Sequence, residues 1–245
     1  QVMAMTSTEL GALTSSQFAA LTSAQVRGID TSDVASLSTT QLNALSTSQF
    51  AALTSAQVAA ITSTQADTIA TDDLAAIAAS SLKALATDAL AILDTAQFNA
   101  LTTTQSAALT ATQAAAITTS QTDAISTDAL TSLSSAALRA LSTDALGALD
   151  SAQIGALTNA QVAQLTTAQI ASLNSADFNA LTTGQFAALT SAQSAAITST
   201  QTDTMTTDDL AALSVSAVKS LSSGNGAIRR LRLKRRPARP VESPD

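Results

Sequence analysis

The sequence predicts an all-α protein, an α-solenoid of very short capped helices on an 8-residue repeat, and three observations carry that prediction. An octad begins at Thr6 and runs 27 times without insertion or deletion to Leu221. Its eighth residue is Leu or Ile in every copy but the one ending at Met205, and its fifth is large and apolar in 21 of the 27. Its first residue is Ser, Thr, Asp or Asn in 24 copies, and its fourth is Gln in 16 and Asp or Glu in 5 more. A frame held so strictly is a packing constraint, the signature of a repeat array in which each unit is stabilised by its neighbours.

Within one octad, such as Thr54 to Ile61, position 1 followed three residues later by Gln is the capping-box pattern. The position 1 side chain accepts from the backbone N–H of position 4, and the position 4 side chain reaches back to the N–H of position 1. Each octad therefore starts a helix. The charges agree: all acidic residues of the repeat except Asp67, Asp123 and Asp203 lie at positions 1, 3 or 4, where a helix N-terminus favours negative charge. Arg27, Lys83, Arg139 and Lys219 all lie at position 6, which must face water. Positions 5 and 8 are three apart and share one helical face. They form the core ladder, which includes Phe18, Phe50, Phe98, Phe178 and Phe186.

Other architectures fit less well. In one continuous helix, eight residues at about 100° each rotate the apolar stripe by about 80° per octad, so no face would stay apolar. A β-solenoid would put positions 5 and 8 on opposite sides, and Ala, Gln, Asp and Ser are poor strand formers. Disordered low-complexity chains do not hold one apolar residue at a fixed position. Helices of about one and a half turns are marginal alone, so stacking must hold them.

A longer rhythm sets the size of one superhelical turn. Similar series of octads start at Ser38, Asp94 and Asn174, so the starts are 7 and then 10 octads apart. The difference is the trio DSAQIGAL, TNAQVAQL, TTAQIASL. If a solenoid gains or loses only whole turns, a turn is three octads. Nine turns at the 8–10 Å spacing of packed helices predict a rod about 70–90 Å long.

Composition narrows the chemistry. The chain has no His, Cys, Trp or Tyr, and aromatics are 2% of it. The usual general base near neutral pH, thiolate or imidazole metal sites, and disulfides are all excluded. No catalytic, cofactor-binding or metal residue is assigned, and an enzyme is not expected. The adjacent pairs Asp72/Asp73 and Asp208/Asp209 are read as cap and helix-dipole residues, since no third ligand accompanies them. Six octads carry a small position 5: Ala66, Ser106, Ala114, Thr122, Ser194 and Thr202. These suggest a narrower or partly exposed stretch of core, or a groove for a neighbour. The N-terminus lacks a signal-peptide pattern, and no apolar run reaches the roughly 20 residues that span a bilayer, so membrane insertion is not expected. Residue 1 is Gln and not Met, so the chain reads as processed or as a piece of something longer.

Three segments follow: a lead-in, 1–5; the solenoid, 6–221; and, from 222 to 245, a flexible Gly/Ser break with a basic, Pro- and Arg-rich tail. Residues 1–222 carry 4 basic and 16 acidic side chains, while 223–245 carry 7 basic and 2 acidic. The tail cluster, Arg229, Arg230, Arg232, Lys234, Arg235, Arg236 and Arg239, is expected to aid assembly or anchoring by docking on the acidic surface of a neighbouring copy. Nucleic acid is a weaker partner, because no aromatics accompany the basic run and the body is acidic.

At the level of LTSAQVAAITSTQ (53–65) and LTNAQVAQLTTAQIASL (157–173), the chain resembles the L-T-x-x-Q repeat tracts of large bacterial secreted or surface proteins, often labelled adhesion or haem-utilisation exoproteins. The resemblance implies an extracellular or cell-surface, bacterial, structural role. A haem role finds no His, Cys or Tyr ligand here. The first and last octads look like interior ones, and solenoids that stay monomeric carry polar caps. The expected function is therefore a non-enzymatic repeat protein that associates end to end into a filament, or forms an adhesin stalk, as a homo-oligomer with no small-molecule substrate or cofactor. The alternative is a module that presents a regular Thr/Ser face to ice or polysaccharide.

Overall fold

The corner of the octad determines the fold. In a computed structural model that describes residues 5–224, every octad forms one helix of four to six residues, except the last, Val215–Gly224. Among the described residues the 27 helices are accompanied by no strand. In the octad 54–61 the N–H of Val58 donates to the Thr54 carbonyl at 2.9 Å, and that of Ile61 to the Val58 carbonyl at 3.2 Å. The chain then leaves the helix through two extended residues. Position 8 has angles like those of Leu53 (φ −58°, ψ 133°), and position 1 those of Thr54 (φ −75°, ψ 160°). Both lie in regions open to any L-residue, so the corner needs neither Gly nor Pro. That is how a chain with 7 Gly and 3 Pro turns after every octad.

Contacts divide the chain into two compact units, Gln1–Leu149 and Asp150–Asp245. In each, a helix packs on the third helix along the chain. Hydrogen bonds from one octad to the third after it recur, as from Ser23 Oγ to the Ser48 carbonyl, from Asn99 Nδ2 to the Ala124 carbonyl, and in the second unit from Ser175 Oγ to the Thr200 carbonyl. The superhelical turn is three octads, as the spacing of the longer rhythm predicts.

Positions 5 and 8 fill the core of both units. Phe18, Phe50, Phe178 and Phe186 are fully buried and Phe98 is 3% exposed. Phe178 and Phe186 meet edge to face, centroids 5.2 Å apart. Arg27, Lys83, Arg139 and Lys219 are exposed at position 6. The six small position 5 residues correct one expectation: none is more than 3% exposed, so they form neither a partly open core nor a groove.

Their partners lie one turn further along the chain. Ala66, Ser106, Ala114, Thr122 and Ser194 are answered, in the third octad after each, by Ala89, Ala129, Ala137, Ala145 and Ala217, the five octads with Ala at position 4. Each pair lies on helices in contact. Among the most extensive helix contacts are Ala111–Ala115 with Ser135–Ala140 and Ser191–Ala195 with Val215–Gly224, both pairs of this kind. A small residue below and Ala above let the two turns approach closely.

The last helix corrects a boundary. The break expected from Ser222 begins inside a helix that runs on to Gly224. In the frame continued from Leu221, Asn225 stands where Gln belongs, so no capping box competes with helix continuation. The rest of the break and the basic cluster Arg229 to Arg239 lie outside the described residues.

Candidate functional site

The feature that most needs a chemical account is the position 4 glutamine, which is buried although polar. In the octad 54–61 the Gln57 Oε1 accepts from the Thr54 N–H at 3.0 Å, and Thr54 Oγ1 accepts from the Gln57 N–H at 3.3 Å. This is the expected capping box. The other end of the amide does something the box does not require: Nε2 donates to the carbonyls of Val26 and Ile29, both at 2.8 Å. Those carbonyls close the octad four before, at a corner one turn below. With Oε1 on its own helix and Nε2 on the turn beneath, a single side chain caps one element and joins two.

The arrangement repeats with little change. Gln65 reaches Val34 and Leu37, both at 2.8 Å; Gln105 reaches Leu74 and Ile77 at 2.9 and 2.7 Å; in the second unit Gln193 reaches Val162 and Leu165 at 2.8 and 2.7 Å. Without these donors the position 5 and 8 carbonyls would be buried with fewer partners, at a cost of about 1–3 kcal/mol each. Gln57, Gln65, Gln105 and Gln193 are all 2% exposed or less, so the bonds form where water does not compete.

Where position 4 is not Gln, the rung is lost or reduced. Asp73 stands where Gln would reach Leu42 and Leu45, and a carboxylate cannot donate. Burial pushes its pKa up from 3.8; a hydrogen bond from Thr47 opposes this and the charge on Asp72 adds to it. Ser81 keeps half a rung, its Oγ donating to the Leu53 carbonyl at 3.1 Å. The helices capped by Ala70, Ala78 and Ala86 have no side-chain cap either. At the other extreme, exposed Glu9 has its pKa lowered by the Thr6 N–H and hydroxyl that it accepts from.

No catalytic constellation is assembled among the described residues. Asp72, Asp73, Asp208 and Asp209 stay in the first turns of their helices, and among the described residues no group of three or more His, Cys, Asp or Glu is placed to hold a metal. A shallow depression is lined by Thr119, Ser120, Asp123 and Ala148. No described helix is long and apolar enough to cross a membrane. What the arrangement can do chemically is stack: each turn packs on the next at a constant step of three octads.

Sequence reasoning assigned half of each glutamine's role and missed the other half. The signal was available. A capping box accepts Glu as well as Gln, yet position 4 holds 16 Gln and one Glu. Only the amide has an N–H to give.

Comparison with known protein families agrees with this reading of the corner. The ALTTAQ repeat model matches residues 26–63, 122–159 and 170–207, a little under half of the chain. The comparison with curated proteins finds no match. The six letters of the family name correspond to positions 7 and 8 of one octad and 1 to 4 of the next, as in Gln164 to Gln169 (QLTTAQ) here. In these three segments the chain is similar to ALTTAQ repeats, and the shared letters are those that build the corner and its glutamine rung.

Proposed function

We propose that the chain is a non-enzymatic structural protein that works outside the cell, stacking end to end into a filament or forming the stalk of an adhesin. The observation that carries this reading is the constant three-octad step by which each turn packs on the next in each unit. The surface that receives the next turn is of the same kind as the surface that covers the previous one. Heterologous contacts of this sort generate open assemblies when they do not close on themselves. The basic tail, Arg229 to Arg239, helps to join copies. Asp72, Asp88, Asp128, Asp144 and Asp208 are exposed and offer it opposite charge.

Electron microscopy of the purified chain near physiological salt, beside a version ending at Gly224, tests this reading. Long uniform fibres from the full chain, shortened or lost without the tail, are the expected result. Separate particles of one size in both samples would contradict self-assembly.

One observation favours a second reading, a surface-binding module. Thr47, Thr71, Thr95, Thr119 and Thr143 recur once per turn and are all exposed, so they form a column on one side of the first unit. In this reading, replacing Thr71, Thr95 and Thr119 with Val abolishes adsorption to ice or polysaccharide and leaves assembly intact.

A further inference from the structure

The three octads that do not start with Ser, Thr, Asp or Asn are consecutive: Ala70, Ala78 and Ala86 open residues 70–93, one whole superhelical turn. The same octads hold Asp73, Ser81 and Ala89 at position 4, so this turn lacks capping boxes and glutamines together. Toward the following turns it is tied in the usual way. Gln105, Gln113 and Gln121 donate to the corner carbonyls at positions 5 and 8 of its three octads, at 2.7–3.0 Å. Toward the preceding turns it is not. Glutamines here would reach the carbonyls of Leu42, Leu45, Phe50, Leu53, Val58 and Ile61. Among the described residues Leu53 alone of these receives a position 4 donor, Ser81 Oγ at 3.1 Å.

A turn can lack glutamines and still be secure. In residues 126–149 the hydroxyls of Ser126, Ser134 and Ser142 accept from the N–H groups of Ala129, Ala137 and Ala145 at 3.2, 3.1 and 3.0 Å, and those alanines lie over small residues. In residues 70–93 the caps are absent, and Asp73 and Ser81 lie over Phe50 and Val58, which are large. We propose that the junction beneath residues 70–93 is a seam built into the first unit, where the array opens locally, and that protonation of Asp73 closes it.

Ser81 shows that a short side chain at position 4 reaches the position 8 carbonyl of the octad four before. The equivalent acceptor for Asp73 is the Leu45 carbonyl. As a carboxylate, half-buried Asp73 has nothing to donate and accepts from Thr47; as a carboxylic acid it gains one O–H, half of what a glutamine supplies. No cation faces it from the two helices packed most closely on its own. Thr47–Ala52 and Thr95–Asn99 contain no charged residue, and the Asp94 cap of the second is bonded to the Gln97 N–H at 2.7 Å. Asp72 beside it is a like charge, and Asp67 and Lys83, in the octads before and after, are exposed at position 6. Burial, opposed by Thr47 and aided by Asp72, raises the Asp73 pKa above 3.8. The closed seam therefore binds the proton more tightly than the open one, and it strengthens as pH falls through the raised value.

The full chain has no cysteine, so matched probes can be placed in it. Ala89→Cys and Ala137→Cys replace alanines that are 1% and 0% exposed, each at position 4 over another alanine. Reaction with a pyridyl disulfide reads how often each site opens, and the ratio of the two rates cancels the thiol chemistry. At pH 7 Ala89→Cys should react about tenfold faster than Ala137→Cys, and the ratio should narrow at pH 4. Adding Asp73→Gln and Ser81→Gln to both should bring the ratio toward one at pH 7 and remove its pH dependence. Gln201 over Phe178 and Gln49 over Val26 show that such rungs fit over large residues. Equal rates at pH 7 in the two single variants would overturn the seam. A ratio that does not narrow at pH 4, or that narrows equally with Asp73→Gln present, would overturn the role of Asp73. Hydrogen exchange of the unmodified chain is the check that needs no variant: amides of residues 70–93 should open before those of 126–149, and the reverse order would overturn the seam.

Discussion

Two turns of the first unit solve the same problem in opposite ways. In the octads 46–69, Gln49, Gln57 and Gln65 span the gap to the turn below and bond the carbonyls of its corners. The position 5 residues one turn beneath them are Val26, Val34 and Leu42, all large. In the octads 126–149 the corresponding residues are Ala129, Ala137 and Ala145, over Ser106, Ala114 and Thr122. One junction is wide, polar and hydrogen-bonded; the other is close, and Leu130, Leu138 and Leu146 fill the room that the small residues leave. The comparison teaches that position 4 of one turn and position 5 of the turn beneath form one unit of design, with their sizes matched. A large group placed in the close junction would overpack it, and a small one placed in the wide junction would open a cavity.

The largest expected effect separates the two halves of the glutamine's role. Gln57→Glu preserves the capping box, so a purely local account predicts little change. A carboxylate against the carbonyls of Val26 and Ile29 should instead destabilise the surrounding turns by about 3 kcal/mol or more at neutral pH. Protonation should relieve part of this as pH falls. Hydrogen exchange at the amides of octads 22–29 and 54–61 reads it locally, which suits a repeat array that need not unfold in one step.

The close junction should resist the reverse change. Ala137→Gln forces a long amide into a site with no exposed surface, over Ala114, and should cost about 1–3 kcal/mol by overpacking. Exchange rates that stay at the wild-type value would show that the two kinds of junction are interchangeable and that the size match means nothing.

A smaller gain is available where the hydrogen bonds are thinnest. Ala70, Ala78 and Ala86 leave three successive helices without side-chain caps. Ala78→Ser should slow exchange in the helix that follows it by an amount equivalent to about 0.5–2 kcal/mol.

The smallest effect is a pH dependence. The pKa of Asp73 is raised in the folded protein, so the folded state binds its proton more tightly than the unfolded chain does. Its contribution therefore becomes more favourable as pH falls through the raised value toward 3.8, and it is a penalty at neutral pH. Asp73→Asn should stabilise the protein at pH 7, with the difference from wild type shrinking on acidification. Thermal melts from pH 7 to pH 4 check the sign. Exposed Glu9, with a lowered pKa, works in the opposite direction over the range below 4.5.

Much of this fold was legible because its rules are local. Capping boxes fixed where helices start, the 5/8 ladder fixed the core, and the difference between 7 and 10 octads revealed the turn. The relations that were not legible octad by octad are those that cross a turn. Ser106 reads as a defect in the core until it is set beside Ala129 and Leu130, on the next turn. The donor end of each glutamine is of the same kind, since its acceptors belong to the octad four before.

The three-octad turn underlies every contact described, and a dipolar electron-resonance measurement tests it most directly. The chain has no cysteine to remove, so nitroxide pairs can be placed at Thr71 and Thr95, one turn apart, and at Thr71 and Thr87, two octads apart. The account predicts the shorter distance for the pair farther apart in sequence, with backbones about 8–10 Å apart. A distance that grows steadily with sequence separation, or a closer approach between Thr71 and Thr87, would contradict the solenoid.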